Sequence, residues 1–118
     1  MTNILIDSDK KLHNLLSKIE DCKEIGLDTE FIRESTYRPI LALIQISLAN
    51  EEIYLIDPQK IKDISGISNI TSDPKIIKII HSAKQDLEAL YSHLGSFPKN
   101  VFDTQIAYNF LSEKSNIG

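Results

Sequence analysis

The sequence predicts a single α/β domain in which helices flank a mixed sheet, built from an antiparallel hairpin and parallel strands. Two apolar runs are separated by only three residues, Asn50 to Glu52, and strands joined so closely must run antiparallel. Elsewhere, short apolar runs alternate with segments of helical periodicity, which is typical of strand–helix units. The chain has 118 residues, of which 42% are hydrophobic and 25% charged, and this suits one soluble globular domain spanning residues 1–118.

The first half of the chain is predicted to form a helix followed by three strands. Apolar residues recur at helical spacing between residues 9 and 22, and Ser8 or Asp9 would cap this helix. The apolar character of the second strand places it near the centre of the sheet. The three strands are expected at residues 24–31, 40–49 and 53–56.

The second half is predicted to continue with alternating helices and strands. Asp57 followed by Pro58 is typical of a helix start, and Ile61 and Ile64 would form the buried edge of that helix. The next elements are expected as a strand at residues 76–80, a short strand at 101–103 and a helix at 104–111.

A further helix is predicted to begin at Ser82, because Ser82 and Gln85 have the spacing of a capping box. Gly95 is a typical residue for its end. Its core stripe would consist of Ala83, Leu87, Leu90, Tyr91 and Leu94.

Two carboxylates stand one residue apart at the end of the first predicted strand. Residues i and i+2 of a strand point to the same side of the sheet, so Asp28 and Glu30 would project together. Like charges at such close range repel each other unless a proton or a cation lies between them. Carboxylate oxygens suit Mg²⁺ or Mn²⁺. Asp86, in the first turn of a helix that follows another strand, would join the pair if the two strands are parallel neighbours.

Net charge and cysteine usage narrow the possible functions. A net charge of −4 disfavours a strongly basic nucleic-acid binder, but it is compatible with a nuclease that gathers acidic residues around metal ions. Cys22 is the single cysteine, so the sequence offers no disulfide framework, which favours a reducing cytoplasm. No apolar stretch is long enough to span a membrane. We therefore expect a cytoplasmic protein with no membrane partner.

Five other polar residues are assigned no catalytic role. His81 would fix the turn between a strand and the helix after it, Asp57 would cap a helix, and Asp103 would begin the last helix. His13 and His93 are expected to be solvated on helix surfaces.

Several motifs resemble those of the DEDD 3′–5′ exonucleases, in the form found in ribonuclease D. Leu27 to Phe31 is similar to the first exonuclease motif of that family, and His81 to Glu88 resembles the second. A lone Asp-x-Glu is a weak signal, whereas the ordered set of motifs runs over essentially all 118 residues. The other similar segments are residues 36–39, 43–46, 55–58 and 102–107.

The resemblance implies a ribonuclease H-like sheet and hydrolysis of phosphodiester bonds at nucleic-acid 3′ ends, with single-stranded RNA as the expected substrate. It also implies a two-metal mechanism, in which two Mg²⁺ or Mn²⁺ ions clamp the phosphate. Phe31 would contact the terminal nucleotide, and Arg33 and Lys84 would contact phosphate. The implied catalytic and metal-binding residues are Asp28, Glu30 and Asp86.

The sequence departs from the family pattern at one point. In the ribonuclease D branch a Tyr orients the nucleophilic water, and an Asp four residues later is the fourth carboxylate. Tyr91 and Tyr108 are instead followed at that spacing by Gly95 and Ser112. We therefore expect a C-terminally incomplete exonuclease domain. The alternatives are a nucleic-acid-binding remnant that has lost turnover and a half-enzyme completed by a second, C-terminal polypeptide.

Overall fold

The fold is seen in a computed structural model that describes residues 2–32 and 40–116. Within these two ranges the chain forms six strands and four α-helices, and no helix there is long and apolar enough to cross a membrane. The strands are β1 (Thr2–Ile6), β2 (Glu24–Ile32), β3 (Ile40–Ser47), β4 (Glu52–Ile56), β5 (Ile77–Ile80) and β6 (Val101–Asp103). The helices are α1 (Asp9–Ile19), α2 (Gly66–Thr71), α3 (Lys84–Leu94) and α4 (Thr104–Asn116).

The six strands form one mixed sheet in the order β1-β4-β3-β2-β5-β6. β3 is antiparallel to both of its neighbours, β2 and β4. The pairs β1–β4, β2–β5 and β5–β6 are parallel. The short connection between β3 and β4 dictates an antiparallel pair, whereas the longer connections that contain helices permit parallel ones. The predicted hairpin and the predicted parallel strands are both confirmed.

One face of the sheet carries α1, α2 and α3, and the hydrophobic core lies between them and the strands. α1 begins after Ser8, whose hydroxyl oxygen accepts a hydrogen bond from the Lys11 N–H at 3.3 Å, as predicted for a cap. Alternate residues of the strands face these helices, so Ile25 and Leu27 of β2 and Ile44 and Ile46 of β3 are buried against them. The core includes Leu12, Leu15, Ile19, Ile25, Leu27, Ile44, Ile46, Ile56, Ile80 and Leu90.

The opposite face of the sheet is open as far as the described residues extend. Register places Leu5, Ile77 and Phe102 on this face, where they are 50%, 37% and 51% exposed. α4 follows β6 directly and also exposes large apolar side chains, among them Ile106 and Tyr108. The open face therefore combines apolar surface with the two carboxylates of β2.

Two features of the N-terminal half differ from the sequence expectations. β1 is not among the predicted strands, because its pairing with β4 joins segments about fifty residues apart and leaves no local signal. The helix expected from Asp57 is only a single 3-10 turn, Pro58–Lys60, with the Asp57 carboxylate accepting from the Gln59 N–H at 3.0 Å. A separate helix, α2, begins at Gly66, so the prediction of one helix from Asp57 is wrong while the capping role of Asp57 is confirmed.

The start and the core stripe of α3 also differ from the prediction. α3 begins at Lys84, and Ser82 does not cap it but adopts a left-handed backbone conformation with φ of 56°. Tyr91 is not in the core: it is 48% exposed and stacks on Phe97, with 4.3 Å between the ring centroids. The predicted end of the helix is confirmed, since Gly95 has φ of 79° and closes the last turn.

Candidate active site

The two carboxylates of β2 project from the same face of the sheet, as predicted. In the β2–β3 ladder Asp28 pairs with Gln45 and Glu30 pairs with Leu43, while the intervening Thr29 faces the covered side. Asp28 and Glu30 are exposed, and Thr29 is buried. The pair therefore lies on the open face of the sheet, where a ligand can reach it.

Asp86 approaches this strand from the covered side. It lies in the first turn of α3, is only 6% exposed, and accepts two hydrogen bonds from Thr29 on a single oxygen, Oδ1. The Thr29 N–H donates at 2.9 Å and the Thr29 hydroxyl at 2.5 Å. The expectation that the strands before Asp28 and Asp86 are parallel neighbours is confirmed by the β2–β5 pair.

The reason that Thr29 is free to donate is a difference in strand length. β2 has nine residues and β5 has four, and their pairing extends only to Gly26 and Ile79. Thr29 lies past the end of β5, so its N–H has no strand partner on that side and requires another acceptor. The first turn of α3, which follows β5, brings the Asp86 carboxylate to that position.

Asp28 and Asp86 meet at this same N–H. The Thr29 nitrogen lies 3.0 Å from Asp28 Oδ1 and 2.9 Å from Asp86 Oδ1, so the two oxygens are no more than about 6 Å apart, the sum of those distances. Two carboxylates so close to one donor repel each other, and a cation between them relieves that repulsion.

The electrostatics of Asp86 favour a positively charged ligand. Burial raises the pKa of Asp86 above its ordinary value of 3.8, the two hydrogen bonds from Thr29 lower this pKa, and the neighbouring Asp28 charge raises it. A metal ion would compensate both the lost hydration and the repulsion from Asp28.

The donor set is chemically suited to Mg²⁺ or Mn²⁺, because carboxylate oxygens are the ligands these ions prefer. Asp28 and Asp86 converge, whereas Glu30 does not complete a cluster with them. Across residues 2–32 and 40–116, no group of three His, Cys, Asp or Glu side chains is close enough to hold a metal ion. The predicted ligand set is thus partly assembled, and the metal-binding roles of these residues stay predictions.

A cleft of about 430 Å³ lies beside Asp28 on the open face. Gly26 forms part of its wall, and a Cβ at that position would lie 2.1 Å from Ser47 Oγ, so a larger residue would force Ser47 to move. At this volume the cleft has room for a ligand next to Asp28. Its lining residues are Gly26, Leu27, Asp28, Gln45, Ser47, Ile79, His81 and Thr104.

The turn that carries Asp86 is held by residues of β6 and α4. The Asp103 carboxylate accepts hydrogen bonds from the Ser82 N–H at 3.0 Å and the Ala83 N–H at 2.7 Å, at the start of α3. His81 Nδ1 lies 2.9 Å from the hydroxyl oxygen of Thr104, which supports its predicted role in fixing this turn. Asp103 also caps α4, as predicted, and its pKa is lowered chiefly by the hydrogen bond from Ala83.

The predicted substrate-binding residues have different surroundings. Phe31 is partly exposed and follows an irregularity in the β2–β3 ladder, between Glu30 and Phe31. Lys84 is exposed at the first residue of α3, two positions before Asp86. Arg33 lies outside the described residues.

Two residues, one of them at the site, make contacts that were not identifiable from the sequence pattern. Thr29 stands between the predicted carboxylates, and its hydroxyl at an inward-facing strand position is the only local signal that it needs a buried partner. His93 is exposed on α3, as expected, and in addition its Nε2 accepts a hydrogen bond from the Leu41 N–H at 3.3 Å, while its Nδ1 lies 2.9 Å from the Ala89 carbonyl oxygen. His93 therefore ties α3 to the start of β3, a contact that the sequence did not predict.

The chain is similar to known proteins over most of its length. A family model described as 3′-5′ exonuclease matches residues 3–118. Ribonuclease D of Desulfotalea psychrophila is 44% identical over 117 residues, which cover 91% of this chain and 31% of that relative. The chain thus spans less than a third of the length of this relative.

Two solved structures share the fold. The crystal structure of Escherichia coli RNase D, an exoribonuclease involved in structured RNA processing, matches with a TM-score of 0.83 and 40% identity, covering 90% of this chain and 28% of that one. The catalytic core of RRP6 from Trypanosoma brucei matches with a TM-score of 0.82 and 26% identity, covering 89% of this chain and 29% of that one. The predicted ribonuclease H-like mixed sheet is confirmed by these matches.

Proposed function

The chain belongs to the 3′-5′ exonuclease family, and on that basis we propose that it forms part of a ribonuclease D-like domain that hydrolyses phosphodiester bonds at the 3′ end of single-stranded RNA. The observation that carries this proposal is the convergence of Asp28 and Asp86 on the Thr29 N–H, beside an open cleft. RNA is the proposed substrate because Escherichia coli RNase D, 40% identical, is an exoribonuclease.

We propose that Asp28, Glu30 and Asp86 hold the Mg²⁺ or Mn²⁺ ions of this domain. Bound divalent ions would neutralise the negative charge that develops on the phosphate during hydrolysis. Asp86, being buried and held by Thr29, supplies a carboxylate of fixed orientation. Asp28 and Glu30, being exposed, can adjust their side chains to the ligand.

The proposed contacts to RNA surround these carboxylates. Phe31 is partly exposed directly after Glu30, and a terminal base can stack on its ring without sequence selection. Lys84 extends from the start of α3 next to Asp86, where its charge would attract a phosphate. Arg33 is proposed to do the same from the segment after β2, since a guanidinium binds phosphate oxygens in pairs.

The water-orienting Tyr and the last Asp of the family pattern are absent from residues 1–118. We propose that a polypeptide segment outside these residues supplies them, either in the same chain or in a complementing one. The open face beside Asp28, with the exposed apolar residues Ile77 and Phe102, is where such a segment would pack.

The proposal is tested by titrating the 118-residue chain with Mn²⁺ and following free Mn²⁺ by electron paramagnetic resonance. Asp28→Asn is expected to abolish binding, because it removes a charged ligand, whereas Asp21→Asn, an exposed acid in the turn after α1, serves as the matched control and should bind normally. Equal Mn²⁺ binding by these two variants would contradict the assigned site.

A second assay uses single-stranded RNA labelled at its 5′ end, with a 3′-phosphorylated oligonucleotide as the control for a free 3′ end. The 118-residue chain alone is expected to shorten the RNA poorly, because losing the group that aims the water costs on the order of 10²-fold in rate. Rapid Mn²⁺-dependent release of nucleotides from the 3′ end would show that no further segment is needed.

A further inference from the structure

We infer that Thr29 is a positioning residue, which orients the Asp86 carboxylate toward the metal side of the site, a role that rests on the proposed function. Both donors of Thr29 reach one oxygen of Asp86, the N–H at 2.9 Å and the hydroxyl at 2.5 Å. A carboxylate held by two donors on the same oxygen cannot turn freely about its Cα–Cβ bond or its Cβ–Cγ bond. Its other oxygen, Oδ2, is the one that Thr29 leaves available for a ligand.

The donors of Thr29 are themselves fixed. The N–H belongs to β2, whose backbone at Thr29 is held by the β2–β3 ladder, in which Thr29 pairs with Ile44. The hydroxyl sits on a β-branched side chain, whose χ1 rotation is restricted, and the residue is only 6% exposed. The two donors are therefore fixed in position, and the orientation of the Asp86 carboxylate is set by β2 rather than by α3.

The arrangement also links the two carboxylates. Asp28 Oδ1 lies 3.0 Å from the same Thr29 nitrogen, so this N–H fixes the relative position of Asp28 and Asp86. Partners that orient a metal ligand typically contribute 10–100-fold in metal affinity, because a ligand that must first be ordered binds more weakly. If Thr29 had only a structural role, it would hydrogen-bond the buried Asp86 carboxylate without determining which of the two carboxylate oxygens faces the ion.

The test compares Thr29→Val, which keeps the shape and the N–H but loses the hydroxyl, with Thr29→Ser, which keeps the hydroxyl. Thr71→Val is the matched control, because Thr71 is also buried and its hydroxyl donates to the Ser68 carbonyl within α2, away from Asp86. In the metal-free chain, the Hα–Hβ couplings of Asp86 measured by NMR report its side-chain rotamer. We expect one rotamer in the parent and in the Ser variant, and averaged couplings in the Val variant.

The second readout is the affinity for Mn²⁺. Thr29→Val should bind Mn²⁺ roughly 10-fold more weakly than the parent, while Thr29→Ser and Thr71→Val stay close to it. A single Asp86 rotamer in Thr29→Val, or equal losses of affinity in the Val and Ser variants, would overturn the inference. A parent chain that binds no Mn²⁺ would instead contradict the proposed function, and the rotamer measurement would still decide whether Thr29 orients Asp86.

Discussion

Replacing Asp103 with Ala should loosen the turn that carries Asp86. The Asp103 carboxylate accepts from three backbone N–H groups, those of Ser82 at 3.0 Å, Ala83 at 2.7 Å and Gln105 at 2.8 Å. Ser82 and Ala83 form the turn that leads into α3, and Gln105 lies in the first turn of α4, where the first backbone N–H groups have no acceptor within the helix. Removing one side chain therefore uncaps α4 and also frees the turn before α3.

The size of the effect follows from those three bonds. Hydrogen bonds to a charged group contribute about 1.5–3 kcal/mol each, but Asp103 is partly exposed, so water replaces much of what is lost. Loss of a single capping residue costs about 1 kcal/mol. For the cap of α4 together with the two hydrogen bonds to the turn before α3, we expect a loss of roughly 2–3 kcal/mol in the free energy of unfolding, or about 8–12 °C in Tm for a domain of this size.

The effect should also depend on pH in a defined direction. The hydrogen bond from Ala83, with those from Gln105 and Ser82, holds the pKa of Asp103 below its ordinary value of 3.8 in the folded chain. The unfolded chain then binds the proton more readily, so the stabilisation by Asp103 is complete above 3.8 and is lost as pH falls through the lowered folded pKa. The difference in the free energy of unfolding between the parent and Asp103→Ala should therefore shrink as pH falls below 3.8 and through the lowered folded pKa.

Thermal unfolding followed by circular dichroism, at a series of pH values from neutral downward, measures both the loss of stability and its dependence on pH. Asp57→Ala is the matched control, because among the residues that the structure describes the Asp57 carboxylate accepts from a single backbone N–H, that of Gln59. Asp103→Asn should fall between parent and Ala, since Oδ1 accepts two of the three bonds and only the Oδ2 bond to Ala83 is lost. A loss in Asp103→Ala no larger than in Asp57→Ala, or one that persists unchanged at low pH, would refute the reasoning.

Two further outcomes are expected. Burial lowers the pKa of Lys78 from its ordinary value of 10.5, so the unfolded chain binds more protons than the folded chain at pH values between the lowered pKa and 10.5. The free energy of unfolding of the parent, measured with urea, should therefore rise with pH across that window. The Lys78→Met variant should show no such rise. His93→Ala removes the acceptor of the Leu41 N–H, so hydrogen exchange at Leu41 should accelerate, whereas His13→Ala, on the exposed surface of α1, should leave it unchanged.

The parts of the fold that could be predicted are those with local causes. The short β3–β4 connection leaves only an antiparallel pair, and Ser8 and the apolar stripe after it are sufficient to predict α1. The start of α3 could not be predicted in this way, because Ser82 is held by Asp103, twenty-one residues later in the chain. β1 escaped prediction for the same reason, since its partner β4 lies far along the sequence.

The candidate site shows the same division between local and distant causes. Strand parity alone places Asp28 and Glu30 on one face, and this needs no knowledge of the rest of the fold. The meeting of Asp86 with Thr29 instead depends on β5 ending before β2 does. A longer β5 would pair with the Thr29 N–H, and the first turn of α3 would then start beyond the carboxylates. The unequal strand lengths therefore create the open donor that gathers Asp28 and Asp86, and an insertion of two residues that extends β5 should separate them.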